Sequence, residues 1–360
     1  MARFLRHDLP LEFADGTVAT RAQLDANPHL LSAHAGQRLV CRCTPSGVEM
    51  LIRHRQGRPF LANLPGRTHH HALSCPSYSP DPLIDPLRHY SGAALARSGD
   101  ALHIVVSPAP LGTPPFAHFS PTATLELLWD LAGLSRWSPR MRGRRTYAAV
   151  RAALLGAALT LHIQQRPVAT ALYAPDHANA QPASDHLFVV GRVLHVHPAP
   201  HGVGPTLAHD QSGERFWVNR HGWCPDLATH LGPAEAPHLP SDREIWLLGR
   251  LRFTSAGHVR LDSPGLISVT TDRLPARDSA EAALLYWLVD QGRRFRRCPA
   301  LDARTDPAIP FVEVLDTSRP CYVFSPQSER VPMPAHLAGH VHCAGRTRRS
   351  PSKIGLRFLS

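Results

Sequence analysis

The sequence predicts a multidomain α+β protein: a zinc-clamped β module, a small helical module, a β-barrel-like module and a C-terminal α/β segment. Three observations predict it. At 360 residues the chain is longer than one hydrophobic core usually organises. Its 35 prolines and 24 glycines imply many short elements and disfavour an all-helical fold. The apolar pattern also changes period along the chain, from strand-like runs to helical spacing, back to strands, and then to a helix followed by a strand pair.

Residues 1–36 are mixed and polar, and Leu5, Leu9, Leu11 and Phe13 support at most a short strand pair in an N-terminal extension. The β module is expected over 37–110. Arg38-Leu-Val-Cys41-Arg-Cys43 reads as a strand, Pro45-Ser-Gly47 as a turn, and Val48-Glu-Met-Leu-Ile52 as the returning strand. Cys41 and Cys43 then sit at a hairpin end. After 27 further residues come His71 and Cys75, so three cysteines and one histidine supply the four soft ligands of a closed tetrahedral zinc site. Any of His69, His70 and His71 can be the histidine ligand; His71 is chosen because its H-x3-C spacing to Cys75 suits zinc. A four-ligand site of this kind is structural, with no open position for substrate.

From Pro76 to Pro121 the chain is rich in proline and small residues, with one strand at Ala101-Leu-His-Ile-Val-Val-Ser107. The helical module is expected over 120–176. Ser120-Pro121 gives an N-cap and a first-turn proline; Leu125, Leu128, Trp129 and Ala132 follow at helical spacing and Gly133 ends the helix. A second helix near Arg144 carries Tyr147, Val150, Leu154, Ala158 and Leu161 on one face. The connection holds Trp137, Arg140, Arg142, Arg144 and Arg145, basic groups with an aromatic neighbour at a helix N-terminus, and forms the candidate nucleic-acid patch. Its length is too great for a compact helix-turn-helix.

These motifs carry a family resemblance. Cys41-Arg-Cys43, Gly47-Val48-x-Met50, Leu64-Pro65-Gly66, His71-x3-Cys75-x-Ser77-Tyr78 and Leu128-Trp129-x2-Ala132-Gly133-Leu134-x2-Trp137-Ser138-Pro139 resemble a bacterial family known as domain of unknown function 1173, over residues 36 to 325. The resemblance implies bacterial, cytoplasmic origin and a plasmid or mobile-element setting. It supplies no activity.

Over 185–273 the β-barrel-like module is expected from two runs of one design, His186-Leu-Phe-Val-Val-Gly-Arg-Val-Leu-His-Val196 and Glu244-Ile-Trp-Leu-Leu-Gly-Arg-Leu-Arg-Phe253. A glycine inside a strand marks a bulge or sharp coil, as in the corners of small barrels. Shorter strands are expected at Arg215–Val218 and Leu266–Thr270, giving five or six in all. Phe216 and Trp217 are candidate stacking residues for a single strand.

The C-terminal segment, 277–330, starts with the capping pattern Asp278-Ser-Ala-Glu281 and a helix to Gly292, then strands at Phe311–Asp316 and Cys321–Phe324. This order resembles a degenerate PD-(D/E)xK nuclease core. Phe311 and Tyr322 stand where acidic metal ligands belong, no lysine lies in the segment, and Glu313 and Asp316 fall off the expected register. Residues 331–360 read as a disordered basic tail.

The net charge of +11 rests on arginine, since Lys353 is the only lysine. No apolar run is long enough for a signal peptide or a membrane span, and seven cysteines without a regular framework fit reduced thiols and a metal site; the protein is expected in the cytoplasm. The leading function is non-catalytic nucleic-acid association with structural Zn²⁺ as cofactor. A metal-dependent nuclease and a protein-interaction scaffold without nucleic acid are the alternatives.

Overall fold

The computed structural model describes residues 10–55, 57–64, 67–71, 75, 77, 85–98, 101–107, 115–163, 166–173, 187–199, 202–207, 218–219, 230–231, 238–253, 259–303, 309–316, 321–324 and 341–343. The chain divides at Asp85 into two compact units, taken here in turn. Phe216, Trp217, most of the basic tail and residues 1–9 lie outside the described residues.

The first unit contains β1 (Pro10–Phe13), β2 (Val18–Thr20), α1 (Arg21–Ala26), α2 (Pro28–Ala33), β3 (Arg38–Cys41), β4 (Val48–Arg55) and β5 (Arg58–Asn63). The strands form one antiparallel sheet in the order β2-β1-β3-β4-β5. Residues 10–36, read from sequence as an extension, therefore supply two of its five strands. Strand alternation sends Leu11, Phe13, Leu39, Cys41, Met50 and Ile52 to the buried face. Thr20 and Gln23 cap α1 reciprocally, at 3.2 and 2.8 Å.

The second unit contains β6 (Leu95–Ser98), β7 (Ala101–Ile104), α3 (Pro121–Leu131), β8 (Arg136–Trp137), α4 (Tyr147–Ala158), β9 (Leu161–Ile163), β10 (Arg166–Pro167), α5 (Val168–Ala171), β11 (Leu172–Tyr173), β12 (Leu187–Ala199), β13 (Gly202–Leu207), β14 (Val218–Asn219), β15 (Glu244–Phe253), β16 (Val259–Val269), α6 (Ser279–Asp290), β17 (Phe295–Arg297), β18 (Val312–Val314), β19 (Cys321–Phe324) and β20 (Val341–Cys343). A four-stranded sheet runs β10-β9-β7-β6, a curled half-barrel sheet runs β14-β13-β12-β15-β16 with β11 on β12, and a five-stranded sheet runs β20-β19-β18-β17-β8. The fold is mixed α+β.

Helix α3 is the centre of this unit. Ser120 caps it at Ala123 N (3.0 Å), and Thr122 to Trp129 are all buried. Gly265 of β16 lies against its first turn so closely that a Cβ there would stand 2.2 Å from Thr122 N, while Leu266 N donates to Thr122 Oγ1 at 3.3 Å. One core then draws on Leu102, Leu128, Trp129, Leu154, Val190, Trp246, Ile267 and Leu301, residues from the helical, barrel-like and C-terminal segments together.

The two Gly-Arg strands behave differently. In β15 the register shifts between Leu248 and Arg250, around Gly249, where a Cβ would come within 2.7 Å of Leu261. In β12 the irregularity falls between Val193 and His195, and Gly191 pairs regularly with Leu247. Within the segment expected to be disordered, Val341–Cys343 form a strand parallel to β19.

Candidate metal centre

The sequence folds the first ligand pair into place locally. Cys41 ends β3, paired with Leu11 and Val48, and faces the buried side; Arg42 faces out and donates to Glu12 at 2.6 Å; Cys43 lies in the turn that follows. Gly47 closes that turn at φ +70, and a Cβ on it would stand 2.4 Å from Val40 Cγ1. Only glycine suits both conditions. The second pair comes from irregular chain: a 3₁₀ turn at Thr68–His70 ends at His71, which is buried, whereas His70 is exposed. Cys75 is buried as well.

Cys41, Cys43, His71 and Cys75 come together with all their ligand atoms within 4.8 Å of one another. Cys41 Sγ is 3.7 Å from Cys75 Sγ, and His71 Nδ1 is 3.4 Å from Cys43 Sγ and 3.5 Å from Cys75 Sγ. A tetrahedral ion with bonds of about 2.3 Å to sulfur and about 2.0–2.1 Å to nitrogen has edges of about 3.8 Å between sulfurs and about 3.5 Å between sulfur and nitrogen. These three edges agree with that geometry, and the other three are no longer than 4.8 Å. A disulfide needs sulfurs at about 2.05 Å, so Cys41 and Cys75 are free thiols. Nδ1 is the His71 ring nitrogen that faces the sulfurs, while the buried Nε2 has no hydrogen-bond partner among the described residues.

The groups of the cluster shift one another's protonation. Hydrogen bonds from Cys41 and then Cys43 hold the Cys75 thiol well below its ordinary range, while contacts with Cys43 and Cys75 push the Cys41 thiol up. Burial pushes the His71 imidazole down, but hydrogen bonds to Cys43 and Cys75 outweigh it and hold it at about 9. A divalent ion bound here would displace the protons carried by the Cys41 thiol and the His71 imidazole. Ser77 is a contributor that ligand spacing does not show: its backbone N–H donates to Cys75 Sγ at 3.4 Å. The Cys75-x-Ser77 spacing is the signal that could have found it, since an N–H two residues after a ligating cysteine can turn back to its sulfur.

The expected nucleic-acid patch is divided by the fold. Trp137 sits in β8, pairs with Phe295, and is buried under α6 with Leu285, Leu288 and Phe311. Its ring has no open face for a base. Arg145 is also buried and donates to the carbonyls of Leu134 (2.7 Å), Arg273 (3.2 Å) and Arg136. Both residues serve packing because the connection joins the five-stranded sheet instead of looping into solvent. Arg140, Arg142 and Arg144 are exposed; Arg142 donates to Val289 O at 3.0 Å, at the end of α6.

The carboxylates of the C-terminal segment are each engaged separately. Glu281 is buried and accepts from Arg277 N at 2.8 Å, Glu313 is buried in β18, and Asp316 accepts from Arg293 Nε at 3.0 Å. Among the described residues, the Cys/His cluster is the one group of three or more metal-ligating side chains close enough to hold an ion. No helix among them is long and apolar enough to cross a membrane.

Fold and site together define an α+β protein whose N-terminal antiparallel sheet carries a three-cysteine, one-histidine cluster able to bind a metal ion. Residues 17–101 and 88–185 match the family model described as Protein of unknown function (DUF1173). The resemblance carried by the motifs is thereby shown over this stretch, which includes the cluster and the tryptophan motif; residues beyond 185 lie outside the match. No curated protein matches the chain.

Proposed function

We propose that the N-terminal unit is a β module clamped by one structural Zn²⁺, and that the chain is a non-catalytic nucleic-acid-associated protein of a plasmid or mobile element. The observation that carries the metal reading is the gathering of Cys41, Cys43, His71 and Cys75 with all ligand atoms within 4.8 Å and three edges of tetrahedral length. Three thiolates and an imidazole favour zinc over the hard cations, which prefer oxygen. All four positions are taken by protein, so the ion would hold strands together and leave no site for water or substrate.

What supports the nucleic-acid part is the net charge of +11 and the exposed Arg140, Arg142 and Arg144. Phosphate contacts by these groups would make binding fall steeply with salt, each contact contributing roughly 0.7–0.9 to the log–log slope. The test has two parts. Elemental analysis should find one zinc per chain, and salt titration against a mixed-sequence oligonucleotide should show a lower slope for Arg140→Ala/Arg144→Ala than for the wild type. No binding at physiological salt would favour the scaffold reading, and zinc-free folded protein would overturn the clamp.

A further inference from the structure

Two residues of the sheet hold the loop that carries Cys75, although neither can ligate a metal through its contacts here. Asn63 ends β5 and pairs across the strands with Met50 of β4, so both side chains stand on one face. Asn63 Nδ2 donates to Ser77 O at 2.9 Å, and Ser77 Oγ donates to Met50 Sδ at 3.9 Å. With its carbonyl held from one side, Ser77 presents its N–H to Cys75 Sγ at 3.4 Å. The amide orientation of Asn63 is fixed by its partner, because a carbonyl oxygen accepts only from the NH₂ end. The other end, Oδ1, is buried and has no hydrogen-bond partner among the described residues. A half-satisfied amide is costly in a buried place, and its one donor bond goes to the residue that addresses the ligand sulfur.

We infer that Asn63 is a positioning residue of the metal centre, acting through Ser77: it fixes the Ser77 peptide so that its N–H donates to the Cys75 thiolate and sets that sulfur's direction and electron density. This rests on the reading of the cluster as a metal site. Partners at this remove from a metal typically change affinity by about 10- to 100-fold. An N–H donated to a thiolate withdraws charge from it and raises the energy of thiolate-to-metal charge transfer.

The experiment uses the full chain loaded with Zn²⁺ or with Co²⁺ as a spectroscopic probe. Asn63→Asp keeps the shape and removes the donor; Asn63→Ala removes both. The wild type should bind one Co²⁺ with tetrahedral d–d bands and a thiolate charge-transfer band. Both Asn63 variants should lose Zn²⁺ to a competing chelator with affinity about 10-fold or more weaker, and their charge-transfer band should move to lower energy. Asn63 variants with unchanged affinity and unchanged band energy would overturn the inference and leave the metal site standing. A wild type that takes up neither ion would overturn the metal reading and this inference with it.

Discussion

The guanidinium of Arg145 lies 5.5 Å from the centroid of the Trp137 ring, and both side chains are buried. Two residues that read as a basic and aromatic surface are an internal brace, in which Arg145 ties the carbonyls of Leu134 and Arg136 to that of Arg273, far along the second unit. Burial pushes the Arg145 guanidinium down to about 10, as expected where a cation is bonded mainly to neutral carbonyls. Arg145→Ala removes these bonds and leaves buried acceptors unsatisfied, at a cost of about 3 kcal/mol. Thermal unfolding should show the loss, and oligonucleotide affinity of the folded fraction should not change.

Metal removal should unfold one unit and spare the other. All six tryptophans lie after residue 85, in the second unit. Structural zinc contributes about 10–16 kcal/mol in small zinc modules. A strong chelator, or Cys43→Ser, should therefore reduce the far-ultraviolet circular dichroism signal while tryptophan emission stays as in the loaded protein. Unchanged dichroism after complete removal of the metal would refute the clamp.

Gly47→Ala tests the turn that carries Cys43. Its left-handed φ and the 2.4 Å approach to Val40 Cγ1 both oppose a side chain. The expected cost is about 1–3 kcal/mol. Since that turn presents Cys43, zinc should also be released at lower chelator concentration than from the wild type.

Glu126 and Arg297 form a buried pair at 3.8 Å, and Glu126 Oε2 also accepts from Ala300 N (3.2 Å) and Leu301 N (2.8 Å), holding Leu301 at φ 51. Breaking a buried pair from one side typically costs about 3–5 kcal/mol because the remaining charge is stranded. Glu126→Ala should lose stability on that scale in denaturant unfolding. The double change Glu126→Ala/Arg297→Met should recover part of it, and a fully additive result would show that the two charges do not interact.

Tyr90 gives a pH dependence. Its hydroxyl donates to Asp302 Oδ2 at 2.7 Å, and Asp302 also accepts from Ser120 Oγ at 2.5 Å. Burial first, and then the Asp302 charge, push the phenol well above its ordinary value. The unfolded chain therefore releases this proton before the folded one does, so the contribution is full below about pH 10 and is lost as the pH rises above it. Tyr90→Phe should cost about 1 kcal/mol at neutral pH and make the fall in stability above pH 10 less steep, as read from unfolding midpoints between pH 8 and 11.

The sequence by itself determined the features whose causes are local. The hairpin that carries Cys41 and Cys43 follows from alternation and from Gly47. The starts of α3 and α6 follow from Ser120 and Asp278, each accepting a backbone N–H within three residues. The soft ligand set is legible because cysteine and histidine at such spacing have few other uses in a reduced chain. Which histidine turns inward was open in the sequence and was decided by the end of the 3₁₀ turn at His71.

Tertiary structure alone decided what depends on partners far along the chain. Trp137 is buried because β8 pairs with β17, more than a hundred residues away, and no local pattern encodes that pairing. Arg145 is buried because its carbonyl acceptors come from two stretches far apart in the chain, Leu134–Arg136 and Arg273, and in a one-dimensional reading a buried arginine looks the same as a solvated one. The bulge of β12 moved away from Gly191 because pairing with β13 and β15 fixes where the extra residue fits. The short strand pair of the N-terminal stretch was legible, but its joining β3 was not, and neither was the pairing of Val341–Cys343 with β19: in each case a neighbouring strand offered its free N–H and C=O groups, and such groups must be paired.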